Sequence, residues 1–296
     1  MKIKEALIWS EKKLKKITFA PYEAEVILSY LLNKPRHFLF TYPNKELSKE
    51  EERKLKNLIN KRNKHYPLAY LIRSQEFFGE KIYLDKNVFI PRPETEILAE
   101  KIIKEIKKVK KENLRKLTFL DVGTGSGCLF VSILKTIPQI RAIALDISPS
   151  ALRIAKKNAQ EHNLENRVSF FRGNLLLPLK NAKLSPLVFL GANLPYLTPN
   201  QYKKTSLEIK KYEPKSALLG GEDGLFYYKE LLKQIKELKF EKLIKKIFLE
   251  IDPLQKRKIK EIIKKNFPLA KTEIIKDYHQ RERVVKITLD NSLLKS

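Results

Sequence analysis

The sequence predicts an α/β protein built on a mainly parallel sheet with helices on both faces, preceded by a small helical domain. Three observations carry this reading. From Leu117 onward, short apolar strand patterns alternate with amphipathic helical patterns, as repeated βα units require. Three alternating glycines, Gly123, Gly125 and Gly127, follow the first of these strands and open a helix. Before Gly79 there is no glycine and no alternating strand pattern, which suits a helical bundle.

The elements follow in order. Lys4 to Lys16 spaces Ala6, Leu7, Trp9 and Leu14 near helical period, and Pro21 to Leu32 carries a strong apolar face. Ser48 followed by Glu51 is a capping box that opens a helix running to Arg62. Glu76 to Leu84 is aromatic and partly alternating around Gly79, so it reads as a β-hairpin or short strand pair. Pro91-Arg92-Pro93 ends it, and a helix runs from Glu94 to Lys110. Strands are then expected at 117–121, 142–146, 168–171, 187–192 and 246–251, with a final strand pair at 273–277 and 283–289. Helices are expected at 127–135, 148–162, 224–237 and 255–266. The division this implies is a helical domain over 1–74, a hairpin linker over 75–90, and the α/β domain over 91–296.

Composition narrows the function classes. With 296 residues and a hydrophobic fraction of 43%, the chain can bury a substantial core. No apolar run approaches the roughly 20 residues of a membrane helix. The start has no secretory pattern, so a cytoplasmic protein without membrane attachment is expected. Cys128 is the single cysteine, which excludes an intramolecular disulfide, and His37, His65, His162 and His279 are scattered without metal-ligand spacing. No metal site is expected. The formal charge of +27 comes mostly from lysines spread along the whole chain. Nucleic-acid readers favour clustered arginines, so the charge reads mainly as composition, with weak affinity for ribosomes or RNA allowed on charge alone. Nothing in the sequence requires more than a monomer.

Three sites carry chemistry. Asp121-Val122-Gly123-Thr124-Gly125-Ser126-Gly127 lies between strand and helix, where open α/β sheets bind ligands. Its glycines let backbone approach a ligand, and the helix amino terminus offers free N–H groups. Asp146, ending the next strand, stands where ribose hydroxyls are bound. These two sites suit a dinucleotide or a methyl donor equally. Asn193-Leu194-Pro195-Tyr196, after the fourth strand, decides between them. The Asn193 side chain and the Leu194 carbonyl are two acceptors for a substrate NH2 group. Pro195 biases Leu194 toward an extended backbone, and Tyr196 can pack on a planar substrate group. Nothing marks a hydride-transfer site.

With these motifs the chain resembles the HemK-like family of protein-(glutamine-N5) methyltransferases. The resemblance covers nearly the whole chain. It rests further on Pro67-Leu68-Ala69-Tyr70, Glu76-Phe77-Phe78-Gly79 and Ile90-Pro91-Arg92-Pro93-Glu94-Thr95-Glu96. Tyr212-Glu213-Pro214, Ala217-Leu218 and Gly220-Gly221-Glu222-Asp223-Gly224-Leu225 extend it, as do Leu249-Glu250-Ile251 with Gln255, and Asp277 with Arg281 to Val285. It implies a class I methyltransferase, with a Rossmann-like seven-stranded sheet and an amino-terminal region that docks the protein substrate. The implied donor is S-adenosyl-L-methionine, and the implied partners are peptide-chain release factors, methylated on the glutamine of a Gly-Gly-Gln motif. Gly123, Thr124, Gly125, Ser126 and Gly127 would line the methionine end of the donor. Asp146 would bind the ribose, Asn174 and Leu175 would lie near the adenine, and Asn193 would also border the donor. Asn193, Leu194, Pro195 and Tyr196 would hold the glutamine amide, with Arg92 and Glu94 shaping the substrate side.

Two positions depart from the family pattern. Leu194 stands where the first proline of Asn-Pro-Pro-Tyr is usual, and Asn174 where aspartate is common. The backbone acceptor at Leu194 survives without the fixed φ of proline. Asn-Leu-Pro-Tyr also resembles the motif of adenine-N6 methyltransferases acting on RNA, which is the first alternative. A non-catalytic ribosome-associated binding protein is the second.

Overall fold

The computed structural model describes residues 1–289, which divide into two compact units. The first unit comprises Met1–Ser74 together with Ser206–Tyr212. Its helices span Ile3–Lys13, Ala20–Leu32, Arg36–Thr41, Lys49–Asn63, Leu68–Leu71 and Leu207–Tyr212. The first ends earlier than its periodicity predicts, because the chain turns at Leu14 to reach Pro21 in the first turn of the next. The second ends on Asn33 in the left-handed region, φ 50°, a conformation that asparagine tolerates. The capping box forms as read: Ser48 Oγ accepts from Glu51 N–H, and Glu51 accepts from Ser48 N–H. Ile3, Leu14, Ile27, Leu28, Leu55 and Ile59 are fully buried in the core of this unit.

The second unit holds Gln75–Thr205 and the chain from Glu213 onward. Strands β1 (Ser74–Phe77) and β2 (Glu80–Tyr83) form the hairpin. Its turn has positive φ at both Phe78 and Gly79, which matches the right-handed twist of the paired strands. The remaining strands are β3 (Leu117–Val122), β4 (Arg141–Asp146), β5 (Val168–Arg172), β6 (Leu187–Ala192), β7 (Ile244–Glu250), β8 (Lys271–Lys276) and β9 (Glu282–Thr288). They make one seven-stranded sheet in the order β5-β4-β3-β6-β7-β9-β8. All neighbours are parallel except β9, which runs antiparallel to both β7 and β8.

The central strands are buried on both faces, as helices on both sides of a parallel sheet demand. Helices Pro93–Ile106, Cys128–Thr136, Pro149–Glu161, Phe226–Glu237 and Lys256–Asn266 supply that cover. The connection runs right from β3 to β4 and left from β3 to β6, so the winding reverses at β3. Ligands bind at such a switch point, beyond the carboxyl ends of the strands. Register brings the three sequence motifs to that edge. Val122 pairs with both Leu145 and Ala192, so Gly123, Asp146 and Asn193 follow three aligned strand ends.

Two short helices, Pro199–Lys204 and Leu207–Tyr212, lie where the sequence reading left irregular chain. The first is opened by Thr198, which forms a capping box with Gln201. Helix Phe226–Glu237 starts two residues after the position read from the sequence, because Gly224 is at φ +70° and Leu225 serves as the cap. Among the described residues, no helix is long and apolar enough to cross a membrane.

Candidate active site

The glycine loop is built around a buried carboxyl. Asp121, 2% exposed, accepts from Thr124 Oγ1 at 2.7 Å and from Phe130 N–H at 3.3 Å. It therefore ties both ends of the loop to the last turn of β3. Burial pushes its carboxyl up to about 7, against the lowering effect of these two donors. Gly123 and Thr124 N–H both donate to the Leu145 carbonyl, at 2.8 and 2.9 Å, which docks the loop on β4. Gly123, Gly125 and Gly127 all have positive φ.

Asp146 stands beside this loop. Its Oδ2 accepts from Gly125 N–H and its Oδ1 from Ser148 N–H, each at 2.9 Å. Each oxygen keeps a free lone pair. The helix-capping task falls to Ser148, whose hydroxyl accepts from Ala151 N–H. Burial raises the proton affinity of Asp146, and the backbone N–H groups of Ser148, Gly125 and Ile147 offset part of that rise. The end of β5 meets the same residue, since Gly173 N–H donates to the Asp146 carbonyl at 3.1 Å. Asn174, next in the chain, is exposed; Leu175 is buried and sits at φ 52°. That conformation is costly for leucine and marks a turn held by its surroundings.

The Asn-Leu-Pro-Tyr segment lies against the glycine loop. A Cβ on Gly123 would fall 2.8 Å from Leu194 Cδ2, so only glycine lets the two segments approach this closely. Leu194 is 3% exposed. Its N–H donates to Tyr228 Oη at 3.3 Å, and its carbonyl lies 3.4 Å from the same hydroxyl. Tyr228 has one proton, and its closer partner is the Glu250 carbonyl. The Leu194 carbonyl thus keeps acceptor capacity. Asn193 Nδ2 donates to Thr95 Oγ1 at 2.9 Å, which leaves Asn193 Oδ1 as an acceptor. The Tyr196 hydroxyl donates to Glu250 Oε1 at 3.3 Å.

Several of the other segments that carry the resemblance form the mounting of this loop. Gln255 Nε2 donates to the Tyr196 carbonyl at 2.8 Å. Gly220 and Gly224 lie so close to Pro195 and Tyr196 that a Cβ on either would strike their backbone within 3 Å. Leu197 exchanges backbone bonds with Leu218 and Gly220. Arg92 occupies the N-cap position of helix Pro93–Ile106 without capping it through its side chain. It is ion-paired with the buried Glu213 and stacked at 4.7 Å on the Phe89 ring. Glu94 lies in the first turn of that helix.

The structure thus brings together the glycine loop, Asp146 and residues 193–196, with Asn174 and Leu175 at the adjoining strand end. The sequence reading assigned no role to Thr95, Glu250, Tyr228 or Asp121. Thr95 and Glu250 lay inside recognised motifs; Tyr228 carried no local signal, being one of several apolar residues on a helix. Cys128 opens its helix and is partly exposed, and burial of the thiol pushes its proton affinity up. Among the described residues no cluster of His, Cys, Asp or Glu could hold a metal ion.

Comparison with known proteins gives this arrangement its family. Residues 5–72 match the PrmC N-terminal domain, and residues 113–189 match a methyltransferase domain. The release factor glutamine methyltransferase of Dictyoglomus turgidum is 35% identical, over 96% of this chain and 98% of its own length. The enzyme of the same name from Clostridium acetobutylicum is also 35% identical over the same shares.

The chain belongs to the release factor glutamine methyltransferase family.

The fold agrees with this membership. The N-terminal domain of human METTL16 in complex with SAH superposes with a TM-score of 0.54 at 16% identity, covering 89% of this chain and 94% of that one. At that identity the likeness concerns the class I methyltransferase fold alone. In this family member, then, the seven-stranded sheet, a helical amino-terminal unit and the hairpin are present as the sequence predicts, and the helical unit is completed by Ser206–Tyr212, which the reading of 1–74 left out.

Proposed function

We propose that this chain transfers a methyl group from S-adenosylmethionine to the side-chain amide nitrogen of a glutamine in a peptide-chain release factor, at its Gly-Gly-Gln motif. The observation that supports the site assignment is the Asn193 amide, anchored through its Nδ2 on Thr95, on a segment that packs against the glycine loop so closely that Gly123 has no room for a Cβ. The residues fit the methyl donor. The backbone of Gly123 through Gly127, with glycine at every second position, offers a cradle at the helix start suited to its methionine end. Asp146 keeps lone pairs for ribose hydroxyls, and Asn174 with Leu175 flanks the adenine position. When bound, the donor supplies a methyl group already activated by sulfonium charge.

The chain's own residues then have a limited task. An amide nitrogen is a poor nucleophile, so positioning for in-line attack is the main requirement. Asn193 Oδ1 and the Leu194 carbonyl accept the two N–H bonds of the substrate amide and aim its nitrogen. The same acceptors favour the positive charge that grows on nitrogen during transfer. Tyr196 covers the planar amide. The net charge of +27 supports a weak, salt-sensitive attraction to ribosomes or RNA, with no role in the chemistry.

The test is incubation with labelled S-adenosylmethionine, a release factor and, separately, ribosomal RNA. Label is expected on the release factor and lost when its Gly-Gly-Gln glutamine is changed. Label on RNA alone would reject the proposal. Asn193→Ala is expected to lower kcat/KM by about 100-fold or more, the usual loss when one preorganised polar contact is removed, while the dissociation constant of the donor stays within a few-fold.

A further inference from the structure

The side-chain amide of Asn158, on helix Pro149–Glu161, joins two segments that lie far apart in the chain. It is fully buried. Its Nδ2 donates to the Ser126 carbonyl at 2.8 Å and to the Tyr83 carbonyl at 3.0 Å. Its Oδ1 accepts from Tyr83 N–H at 2.8 Å. Ser126 belongs to the glycine loop, and Tyr83 ends strand β2 of the hairpin. We propose that Asn158 is a positioning residue for the methyl donor, tying the glycine loop to the hairpin so that order in the hairpin and affinity for the donor are coupled. This rests on the reading of Gly123 through Gly127 as the cradle of the donor.

The partners leave this amide one orientation. Two carbonyls can only accept and one N–H can only donate, so both Asn158 protons and its oxygen are engaged. Toward Tyr83 the side chain behaves as the peptide group of a neighbouring strand, with one bond given and one received. Toward Ser126 it satisfies a carbonyl whose residue is 3% exposed. An acceptor orphaned at that depth is costly, so the loop and the strand are held to the same side chain. A leucine would fill the space and make none of these bonds.

The hairpin depends on such attachments. Strands β1 and β2 form a two-stranded sheet of their own, and a lone hairpin is marginally stable in water. Phe77 and Ile82 anchor it from inside, and Phe78 N–H donates to Glu96 at 2.9 Å. The rest of the grip comes from the helix that carries Asn158. Arg153 is paired with Asp85 at 2.8 Å, and Lys157 Nζ lies 3.3 Å from the centre of the Tyr83 ring. His162, at the helix C-cap, donates from Nε2 to the Lys81 carbonyl at 3.0 Å. Residues 153, 157, 158 and 162 recur at helical spacing, so one face of the helix receives the strand. The glycine loop is fastened elsewhere at residues 123–125, to Asp121, the Leu145 carbonyl and Asp146. Through Asn158 it also feels the hairpin.

Two measurements test this. The first is amide hydrogen exchange of the full wild-type chain, with and without saturating S-adenosylhomocysteine, the donor after loss of its methyl group. Coupling is reciprocal, so the bound compound should slow exchange both at 123–127 and at Tyr83, the latter by about 10-fold. Slowing at 123–127 with Tyr83 unchanged would overturn the proposal. Unchanged exchange at 123–127 would overturn the reading of the loop as the donor's cradle, and the proposal with it. The second measurement is calorimetric binding of the same compound to variants. Asn158→Leu should raise its Kd by about 10-fold, while kcat at saturating donor stays within about 3-fold. A merely structural role would shrink the active fraction instead; a lowered kcat with an unchanged Kd would overturn the proposal. Ile82→Ala loosens the hairpin from inside and leaves Asn158 in place. It should raise Kd in the wild-type background and add nothing to Asn158→Leu. An unchanged Kd in Ile82→Ala, or an equal rise in both backgrounds, would overturn the coupling.

Discussion

Asp121 shows how much one side chain can do without touching a ligand. Its carboxyl joins Thr124 and Phe130 across the glycine loop from a fully enclosed position. Burial raises it from an ordinary 3.8 to about 7, so the folded protein holds this proton more tightly than the unfolded chain. The stability it lends is present below about pH 4 and is lost as pH rises through about 7. The slope of one such group is at most about 1.4 kcal/mol per pH unit. Asp121→Asn keeps both hydrogen bonds through its amide oxygen. It is expected to remove this group's share of the decline, flattening the melting temperature against pH between 4 and 7 relative to wild type. An identical pH profile in the variant would show that Asp121 stays ionised throughout. Sequence reading singled out the glycines, Asp146 and Asn193 as candidates, and the structure brings them to one edge of the sheet. It gave no role to Asp121, Thr95, Glu250 and Tyr228, because a supporting contact is defined by who sits opposite, and the partners lie as many as 98 positions away.

At the scale of elements, the Asn-Leu-Pro-Tyr loop owes its shape to neighbours rather than to its own residues. Leu194 lacks the fixed φ of proline, yet its backbone is held at Tyr228, and the Tyr196 carbonyl at Gln255. Gly220 and Gly224 close the other side. The departure at Leu194 is thereby compensated outside the motif. Gly224→Ala would place a methyl group 2.2 Å from the Tyr196 carbonyl oxygen in a backbone at φ +70°. A destabilisation of at least about 1–3 kcal/mol is expected, with a fall in kcat larger than any change in donor affinity. Urea titration and donor-binding calorimetry measure the two effects; an unchanged kcat would mean that the loop tolerates displacement. The strands and most long helices were legible, since burial on one or both faces imprints a period on the sequence. The helix Pro199–Lys204 was legible too, through Thr198, Pro199 and Gln201 in the order of a capping box. It was passed over because six residues carry too little periodicity to be noticed. Helix Leu207–Tyr212 carries a weaker signal, Ser206, whose hydroxyl accepts from Ile209 N–H at 3.4 Å, and it also makes contacts with distant residues.

At the scale of the whole molecule, the chain crosses between its two units three times, at 74/75, 205/206 and 212/213. The first unit is closed by charge as well as by its apolar core. Arg62, 5% exposed, is ion-paired with Glu23 and with Glu208, and donates to the Tyr66 carbonyl at 3.3 Å. Burial lowers its proton affinity, and the two carboxylates more than restore it. Removing one partner of a buried pair costs about 3–5 kcal/mol; Glu208 remains, so Glu23→Ala is expected to cost about 3 kcal/mol, read as a lowered midpoint in chemical denaturation. A loss under about 1 kcal/mol would mean that Glu208 alone suffices to hold the guanidinium.

Tyr212 reinforces the same closure. Its hydroxyl donates to the Lys64 carbonyl at 3.0 Å, and its ring meets that of Tyr66 at 4.9 Å. The piece of chain that completes the first unit is thus encoded 146 positions after Arg62. A gene fragment ending at residue 74 is not a portable cassette. Recombination between relatives that exchanged only this fragment would part Arg62 and Tyr66 from the Glu208 and Tyr212 they grew up with. The amino-terminal unit is therefore specified by two separate stretches of the gene, the second of them in the middle of the methyltransferase sequence.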